Sequence, residues 1–311
     1  MKLFLKKYGT LIGLLLIILI FSLSMPGTFF SLQNFQNVLL QIALLAIIAT
    51  GATIVMVVGE FDLSIASVAS FAGVLAAGML AEGHSIYLVI PFVLSLSFLF
   101  GLINGFLVAR MNILSFITTL ASGTLLLRGI TFWYSDGSII FSGIPDEFLI
   151  FGQGVFLGIR LPIIFMAAIL LIFWYVLTQT MFGRHLYAVG GNETAARYSG
   201  INTVRKKILA FGLSALLAAI TGIILASRLG SAHPTAGEGY LLEAYATVFL
   251  GMTLSLENVP NIPGTLVGVF ILGVLANGLN IMGVPDFFQD ILTGSIIILA
   301  LIFQGLETKN S

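Results

Sequence analysis

Apolar runs long enough to cross a lipid bilayer recur along almost the whole chain. Of its 311 residues, 59% are hydrophobic and only 8% are charged, whereas about 25% of the residues in an ordinary soluble domain are charged. A helix of about 17–25 apolar residues crosses the hydrocarbon core, and a spanning segment of this kind must satisfy its own backbone hydrogen bonds. The sequence therefore predicts an all-α, polytopic membrane protein that forms a single transmembrane domain over residues 1–311.

About ten segments have the required length and composition. Two of them are short for a complete crossing: 65–81 is rich in Ala and Ser, and 240–256 contains Glu243. Each of these two is either a complete span or a broken or re-entrant segment, which is tolerated where protein or water satisfies the backbone. The ten predicted spans are 8–25, 38–58, 65–81, 86–109, 113–134, 161–180, 208–227, 240–256, 264–282 and 287–304.

Lysine and arginine collect on one side of the membrane if the N-terminus is cytoplasmic. Only Arg160 and Arg228 then fall outside. Because cytoplasmic loops carry the excess of positive charge, we expect both termini and the loop 181–207 to be cytoplasmic, and the loops 135–160 and 228–239 to be external. The basic start and apolar stretch imitate a signal peptide, but further spans follow, so an uncleaved first helix is expected. The positive residues on the inner side are Lys2, Lys6, Lys7, Arg110, Arg184, Arg197, Arg205, Lys206, Lys207 and Lys309.

Several kinds of chemistry lack their motifs in this sequence. There is no cysteine, which excludes disulfides and thiolate metal sites. The three histidines, His84, His185 and His233, lack metal-ligand spacing, and no GxxxxGK[ST] motif is present to bind phosphates. A net charge of zero gives no indication of a nucleic-acid partner. We therefore expect that the chain is not an enzyme and that it binds no metal, cofactor or nucleic acid itself.

Two similar stretches indicate an internal repeat. Gly101 and Asn104-Gly105 lie near the end of the fourth span, and Gly273 and Asn277-Gly278 lie near the end of the ninth. In the predicted topology these two spans run in opposite directions, so spans two to five and seven to ten would form an inverted repeat, as in many transporters. Tight helix packing in lipid also favours small residues at such positions, and it remains the alternative explanation.

The stretch from 183 to 207, GRHLYAVGGNETAARYSGINTVRKK, contains six charged residues in an otherwise apolar chain. Asn192 is a favourable helix N-cap and Gly200 is a favourable stop, which predicts a short helix between them. Glu193 and Arg197 are spaced i,i+4 and can pair. On this spacing alone, the helix is either a surface that a partner binds or part of a solvated loop that fixes the topology by its charge.

This loop closely resembles the cytoplasmic loop of permease subunits in ribose-type sugar importers of the ATP-binding cassette class. The resemblance extends, in the expected order, to GEFDLSIAS, GLINGFLV, SRLGSAHPTAGEGYLLEAYATVFLG and NGLNIMGV, and so covers nearly the whole chain. It implies a ten-helix permease in a prokaryotic inner membrane. Such a permease forms the path by which a monosaccharide such as ribose crosses the membrane. The partners it implies are a second permease, identical or different, ATPase subunits that bind ATP and Mg, and an external solute-binding protein.

In this family the short helix of the cytoplasmic loop is the coupling helix, which lies in a cleft of the ATPase. The missing phosphate-binding motif agrees with the resemblance, because nucleotide chemistry belongs to another chain. The residues to which the resemblance assigns ATPase coupling are Gly190, Gly191, Asn192, Glu193, Ala196, Arg197, Gly200 and Ile201.

The sequence departs from the family pattern in two places. After the eighth span the family usually has Gly-Gly-Thr-Ser and a glycine-rich turn, whereas this chain has Gly251-Met252-Thr253-Leu254 followed by LENVPNIPG. A family Gly-Gly-Ile-Asp pattern is replaced by Gly59-Glu60-Phe61-Asp62. The first departure puts the contacts of the inner loop 251–264 in doubt, and it fits either a heterodimeric permease or an altered substrate branch.

Polar residues within or beside the spans are candidates for the translocation path. Asp62 and Ser64 interrupt an apolar region near the predicted inner face, where an inner gate is the sharper hypothesis. Alternatively, Ser64 caps the third helix and Asp62 accepts from its free N–H groups. Amides and hydroxyls suit a neutral sugar, but they also join helices by hydrogen bonds. The path candidates are Asp62, Ser64, Asn104, Thr118, Thr119, Ser122, Asn277 and Asn280.

Charged residues of the predicted external loops are candidates for docking a binding protein, since rim charges steer and orient an encounter. A solvated loop is the alternative explanation for each of them. The docking candidates are Arg160, Arg228, His233 and Glu238. The alternative function for the whole chain is a gradient-driven secondary transporter or channel that works without ATPase partners. A gradient-driven transporter needs carboxylates in the membrane interior to bind sodium ions or protons, and Asp62 and Glu243 are the only obvious ones there.

Overall fold

The structure is a computed structural model that describes residues 2–255, 258–285, 287–289, 291–295 and 298. The first half of the chain contains α1 (Lys2–Ser24), α2 (Leu32–Val57), α3 (Ile65–Ala81), α4 (Ile86–Met111), α5 (Ser115–Thr124), a π-helical segment (Leu125–Thr131) and α6 (Phe132–Ser135). The second half contains α7 (Asp146–Gln153), β1 (Val155–Phe156), β2 (Ile159–Arg160), α8 (Leu161–Gln179), α9 (Met181–Gly191), α10 (Glu193–Tyr198), α11 (Thr203–Leu229), α12 (Gly239–Met252) and α13 (Ile262–Ile281). The strands β1 and β2 form one small antiparallel hairpin.

Helices α2 and α11 form the centre of the molecule. In their most apolar windows, 83% and 67% of the residues are buried, whereas the corresponding share is 22% in both α4 and α8. Two buried hydroxyls of α2 are satisfied within the helix: the side chains of Thr50 and Thr53 donate to carbonyls one turn back, each at 2.7 Å. The peripheral helices instead expose large apolar side chains, as expected of surfaces that face lipid.

Glycines allow the central helices to approach closely. A Cβ on Gly222 of α11 would overlap the backbone carbonyl of Ala69 in α3. A Cβ on Gly101 of α4 would likewise overlap the carbonyl of Phe211 in α11. Small residues at helix crossings are the usual means of tight packing in membranes. Packing therefore accounts for Gly101, one of the glycines that suggested a repeat.

An irregular segment precedes each of the two short helices near the core. Residues 58–64 lead from α2 into α3, and residues 230–238 lead from α11 into α12. The second segment, which lies within the predicted external loop 228–239, packs in part against α3: the backbone N–H of Gly237 donates to the Ser70 hydroxyl at 2.9 Å. Helix α3 therefore begins inside the protein, where Ser64 and Ile65 are buried, whereas α12 begins at the exposed Glu238 and Gly239.

The polytopic, mainly helical architecture is confirmed. Within the described residues, six helices are long and apolar enough to cross a membrane, and 10–24 and 65–81 are shorter apolar helices. The number of ten spans is not confirmed, because α12 has only 14 residues. Of the tenth predicted span, 287–304, only residues 287–289, 291–295 and 298 are described, and the predicted cytoplasmic C-terminus lies outside the described residues. The fifth predicted span, 113–134, is interrupted by the π-helical segment.

Candidate functional site

The predicted short helix in the cytoplasmic loop is present as α10. The Asn192 side chain accepts from the backbone N–H of Ala195 at 2.9 Å, as an N-cap does. Gly200 ends the turn after α10 with φ +83°, a left-handed conformation that favours glycine. The backbone N–H of Ile201 returns to the carbonyl of Ala196 at 3.1 Å, which closes the C-terminal end of the helix.

The two faces of α10 differ in what they present. Ala196 is buried against the rest of the protein, so this small side chain seats the helix. Arg197 is exposed, and Tyr198 is the most exposed aromatic residue of the loop, with 88% of its surface accessible. Exposed Tyr and Arg side chains are enriched among the residues that dominate protein–protein binding energy. The outward face of α10 is therefore suited to bind a partner.

An ion triad connects α10 to the end of α2. The Lys207 ammonium, on the first turns of α11, contacts a Glu193 carboxylate oxygen and a Glu60 carboxylate oxygen, each at 2.7 Å. Glu193 also makes the predicted i,i+4 pair with Arg197, at 3.4 Å. The hydrogen bond from Lys207 lowers the pKa of Glu193 below its ordinary value. The triad thus keeps the base of α10 close to the irregular segment 58–64.

Two adjacent glycines of the predicted coupling set have different surroundings. A Cβ on Gly190 would overlap the carbonyl of Val57 at the end of α2, whereas a Cβ on Gly191 would meet nothing within 4 Å. Gly190 therefore allows α9 to lie against α2. The nearby Tyr187 hydroxyl donates to the carbonyl of Pro260 at 3.0 Å, which ties α9 to the unusual loop 251–264. Burial raises the pKa of Tyr187 to about 12.

Four of the path candidates come together in a buried polar cluster around segment 58–64. The Ser64 hydroxyl donates to the Asp62 carboxylate at 2.5 Å, and the Asn104 amide donates to the same hydroxyl at 3.1 Å. The Thr119 hydroxyl accepts from the backbone N–H of Leu63 at 3.0 Å. Asp62, Ser64, Asn104 and Thr119 are all at most 1% exposed, so this cluster is closed to solvent.

Asp62 is held by its backbone as well as by its side chain. The Tyr245 hydroxyl accepts from the Asp62 N–H at 2.7 Å and donates to the Asp62 carbonyl at 3.0 Å, so α12 clamps the start of α3. Asp62 accepts from the Ser64 N–H at 3.1 Å, whereas Ser64 makes no capping bond of its own to α3. Ser64 therefore does not cap α3 with its side chain.

The remaining path candidates make no hydrogen bond to Asp62, Ser64 or Asn104 among those described. Thr118 is buried on α5, and the Ser122 hydroxyl donates to the Thr119 carbonyl at 3.2 Å. The Asn277 side chain of α13 accepts from the Asn34 amide of α2 at 2.9 Å, an interaction that joins two helices. Asn280, one turn further, is exposed and lines an open pocket of about 430 Å³.

The docking candidates lie on two different parts of the chain. Arg160 is exposed at the end of β2, and His233 and Glu238 are exposed in segment 230–238. Arg228 is only half-exposed, because its guanidinium donates to the carbonyl of Leu40 in α2 at 3.3 Å. Part of its donor capacity is thus used within the chain. No group of three or more His, Asp or Glu residues in the described part of the chain is arranged to hold a metal ion.

Sequence reasoning missed Lys207, Glu60, Tyr198 and Tyr245 as members of these sites. Glu60 and Lys207 were noted only as charges, since no local pattern reveals a contact across 147 positions. Tyr198 carried a usable signal, because an aromatic residue in a short polar helix has no core to enter. Tyr245 carried none, since tyrosine in a span is ordinary.

The fold and these sites define a helical membrane protein with an exposed helix on one loop. Residues 34–301 match the family described as "Branched-chain amino acid transport system / permease component". The chain is 41% identical to the ribose import permease of Haemophilus influenzae and 42% identical to that of Bacillus subtilis, covering 98% of this chain and 95% and 94% of those proteins. It is 36% identical to the L-arabinose transport system permease of Escherichia coli, over 97% of this chain and 92% of that protein. No solved structure matches.

The chain therefore belongs to this family of transport permeases. The resemblance drawn from the cytoplasmic loop and the other quoted stretches is confirmed by relatives that match nearly end to end.

Proposed function

We propose that this chain is the permease subunit of an ATP-driven importer and forms the path for ribose or a related monosaccharide. The observation that carries this proposal is the near full-length similarity to ribose import permeases, at 40–42% identity in several bacteria. The family description names branched-chain amino acids. The similar proteins, however, are named as permeases for ribose and L-arabinose, which are both pentoses. A monosaccharide is therefore the favoured substrate.

Energy reaches this chain through α10. The outward Arg197 and Tyr198 bind a cleft of the ATPase subunit, and the buried Ala196 seats α10 on the permease. Gly191, Asn192, Gly200 and Ile201 shape this helix and its ends. Hydrolysis of ATP, with its Mg, takes place on the partner chains, in agreement with the absence of a phosphate-binding motif here.

Movement of α10 is passed to the interior through the ion triad. Lys207 joins Glu193 of α10 to Glu60, two residues before Asp62. The buried cluster around Asp62 then acts as the closed inner gate of the path, and Tyr245 connects it to α12. Networks of hydrogen bonds and salt bridges that can adopt two discrete arrangements transmit energetic coupling between distant sites. Alternating access follows when this gate opens.

An inverted repeat supports this mechanism. Helix α4 packs on α11 through Gly101, and α13 packs on α2 through Gly273. The fourth predicted span therefore packs on the seventh, and the ninth packs on the second, as the two halves of a repeat would. The breaks before α3 and α12 stand in corresponding positions of the two halves. Paired breaks of this kind mark substrate sites in transporters built from inverted repeats.

The assembly consists of two permease chains, identical or different, ATPase subunits inside and a solute-binding protein outside, in a bacterial inner membrane. Arg160, His233 and Glu238 orient the binding protein through their exposed charges. The N-terminus, the loop 181–207 and the C-terminus face the cytoplasm. The chain itself carries no cofactor, metal or nucleic acid.

The test is transport by the purified complex. The chain is co-purified with its ATPase and binding-protein partners, reconstituted in liposomes and supplied with radiolabelled D-ribose. We expect uptake that requires ATP and the binding protein and is unaffected by ionophores. Uptake by the permease alone, driven by an ion gradient without ATP, would instead establish the gradient-driven alternative.

A further inference from the structure

An open, half-polar pocket lies between four helical parts of the chain. Its volume is about 430 Å³, which is in the range of small-molecule binding sites. It is bounded by α2, the start of α12, the last turns of α13 and the described helical residues 287–289 and 291–295. Its polar lining consists of Gln41, Tyr240, Glu243, Asn280, Gln289 and Thr293.

The polarity of this pocket is not a general property of the surface. A second pocket of about 420 Å³ lies nearby on α1, α2 and α13, and its lining is almost wholly apolar, with Phe29, Phe30 and Phe35 among its residues. An apolar groove of that kind suits a lipid chain. Polar side chains that converge from separate membrane helices are costly in lipid and are retained where they face a pathway.

The chemistry of the lining selects the class of ligand. The amide groups of Gln41 and Asn280 each offer a donor and an acceptor, and the hydroxyls of Tyr240 and Thr293 do the same. No lysine or arginine is among the described lining residues. The set fits a neutral molecule with many hydroxyls.

The place of the pocket in the fold agrees with a role in transport. Gly239, Tyr240 and Glu243 lie in the first turn of α12, directly after the irregular segment 230–238. Tyr245, less than two turns further, clamps Asp62 in the closed inner cluster. A shift of α12 would therefore change the pocket and the cluster together.

We propose that this pocket holds the monosaccharide during its passage through the permease. The proposal rests on the proposed import function and adds the site within it. The contacts are hydrogen bonds from the amides of α2 and α13 and from the start of α12 to the sugar hydroxyls. Such contacts fix orientation and specificity in sites that are otherwise largely apolar.

Protection of a single cysteine gives a direct test, since the natural chain contains none. Ala276→Cys places a thiol in the polar pocket, and Phe35→Cys places the matched control in the apolar pocket. The complete complex is labelled with a small maleimide, with and without D-ribose or L-leucine. We expect D-ribose to slow labelling of Ala276→Cys several-fold and to leave Phe35→Cys unchanged. Equal rates with and without D-ribose, equal slowing at both positions, or protection by L-leucine alone would overturn the assignment.

Kinetics of uptake provide a second measurement that does not depend on labelling. Each neutral hydrogen bond removed from a bound sugar should raise the KM about 3- to 10-fold. We expect this rise for Gln41→Ala and Asn280→Ala. Gln33→Ala, two turns before Gln41 on α2 and outside the pocket, is the control. Unchanged KM in both pocket variants of a complex that still imports D-ribose would refute the pocket alone, whereas a complex that imports no D-ribose would refute the proposed function.

Discussion

Lys207 pairs with two carboxylates at the base of α10. Its side chain is 12% exposed and that of Glu60 is 18% exposed, so their 2.7 Å contact is largely protected from solvent. A lysine in such a place stabilises two carboxylates, Glu60 and Glu193, that would otherwise repel each other. Because the pKa of Glu193 is lowered in the folded protein, its share of the stability is present above the ordinary pKa of glutamate and is lost as the pH falls through the folded pKa.

Replacing Lys207 should uncouple the permease from its ATPase. Lys207→Met leaves Glu60 and Glu193 without their cation, at a cost of about 1–3 kcal/mol, between the values for exposed and buried pairs. We expect fewer sugars imported per ATP hydrolysed, measured in reconstituted complexes. Lys207→Arg should keep much of the ratio that Lys207→Met loses, because arginine keeps the positive charge and can donate hydrogen bonds to both carboxylates.

The neighbouring lysine supplies the control for this experiment. Lys206 lies over the Phe182 ring at 4.6 Å and makes no ion pair in the described residues. Lys206→Met removes the same charge from the same turn, so we expect the transport ratio to stay near that of the unmodified chain. If Lys206→Met and Lys207→Met behave alike, net charge and not the triad explains the result.

At the scale of elements, the contact of α9 with the end of α2 makes a quantitative prediction. Gly190→Ala would place a methyl group on the carbonyl of Val57 and should destabilise the protein by about 1–3 kcal/mol through overpacking. Gly191→Ala meets nothing within 4 Å and should be neutral or slightly stabilising. Thermal unfolding in detergent compares the two variants, and equal melting temperatures would contradict the close approach of α9 and α2.

Local signals predicted some elements well. Asn192 and Gly200 bounded α10 correctly, because capping and left-handed stops depend on neighbours within one turn. The bounds of 65–81, which were predicted from the apolar run, agree with those of α3. Hydropathy did not predict the π-helical interruption after Thr124 or the burial of Gly237 against α3, since both depend on what packs alongside.

The sites were less predictable than the elements. Asp62, Ser64 and Asn104 were chosen as polar residues in an apolar region, and the structure joins them by hydrogen bonds. The chain did not indicate that Asn277 would instead pair with Asn34, nor that Arg228 would bind the Leu40 carbonyl. Contacts between distant helices leave no periodic trace in one sequence.

At the scale of the whole molecule, the proposed mechanism depends on two long central helices. Helices α2 and α11 are the most buried of the described spans, and each leads into an irregular segment and a short helix. The triad holds the C-terminal end of α2, and the pocket lies beside its N-terminal half. In the proposed mechanism this arrangement connects the exposed helix α10 to the polar pocket.

The accessibility of α10 tests this account most directly. With Tyr198→Cys as the only thiol, a membrane-impermeant maleimide is applied to intact cells, to inside-out vesicles stripped of ATPase subunits, and to the same vesicles after the subunits are added back. The account predicts no labelling in intact cells, rapid labelling in stripped vesicles and slow labelling once the ATPase has bound. Labelling from outside, or a rate that the ATPase leaves unchanged, would contradict it.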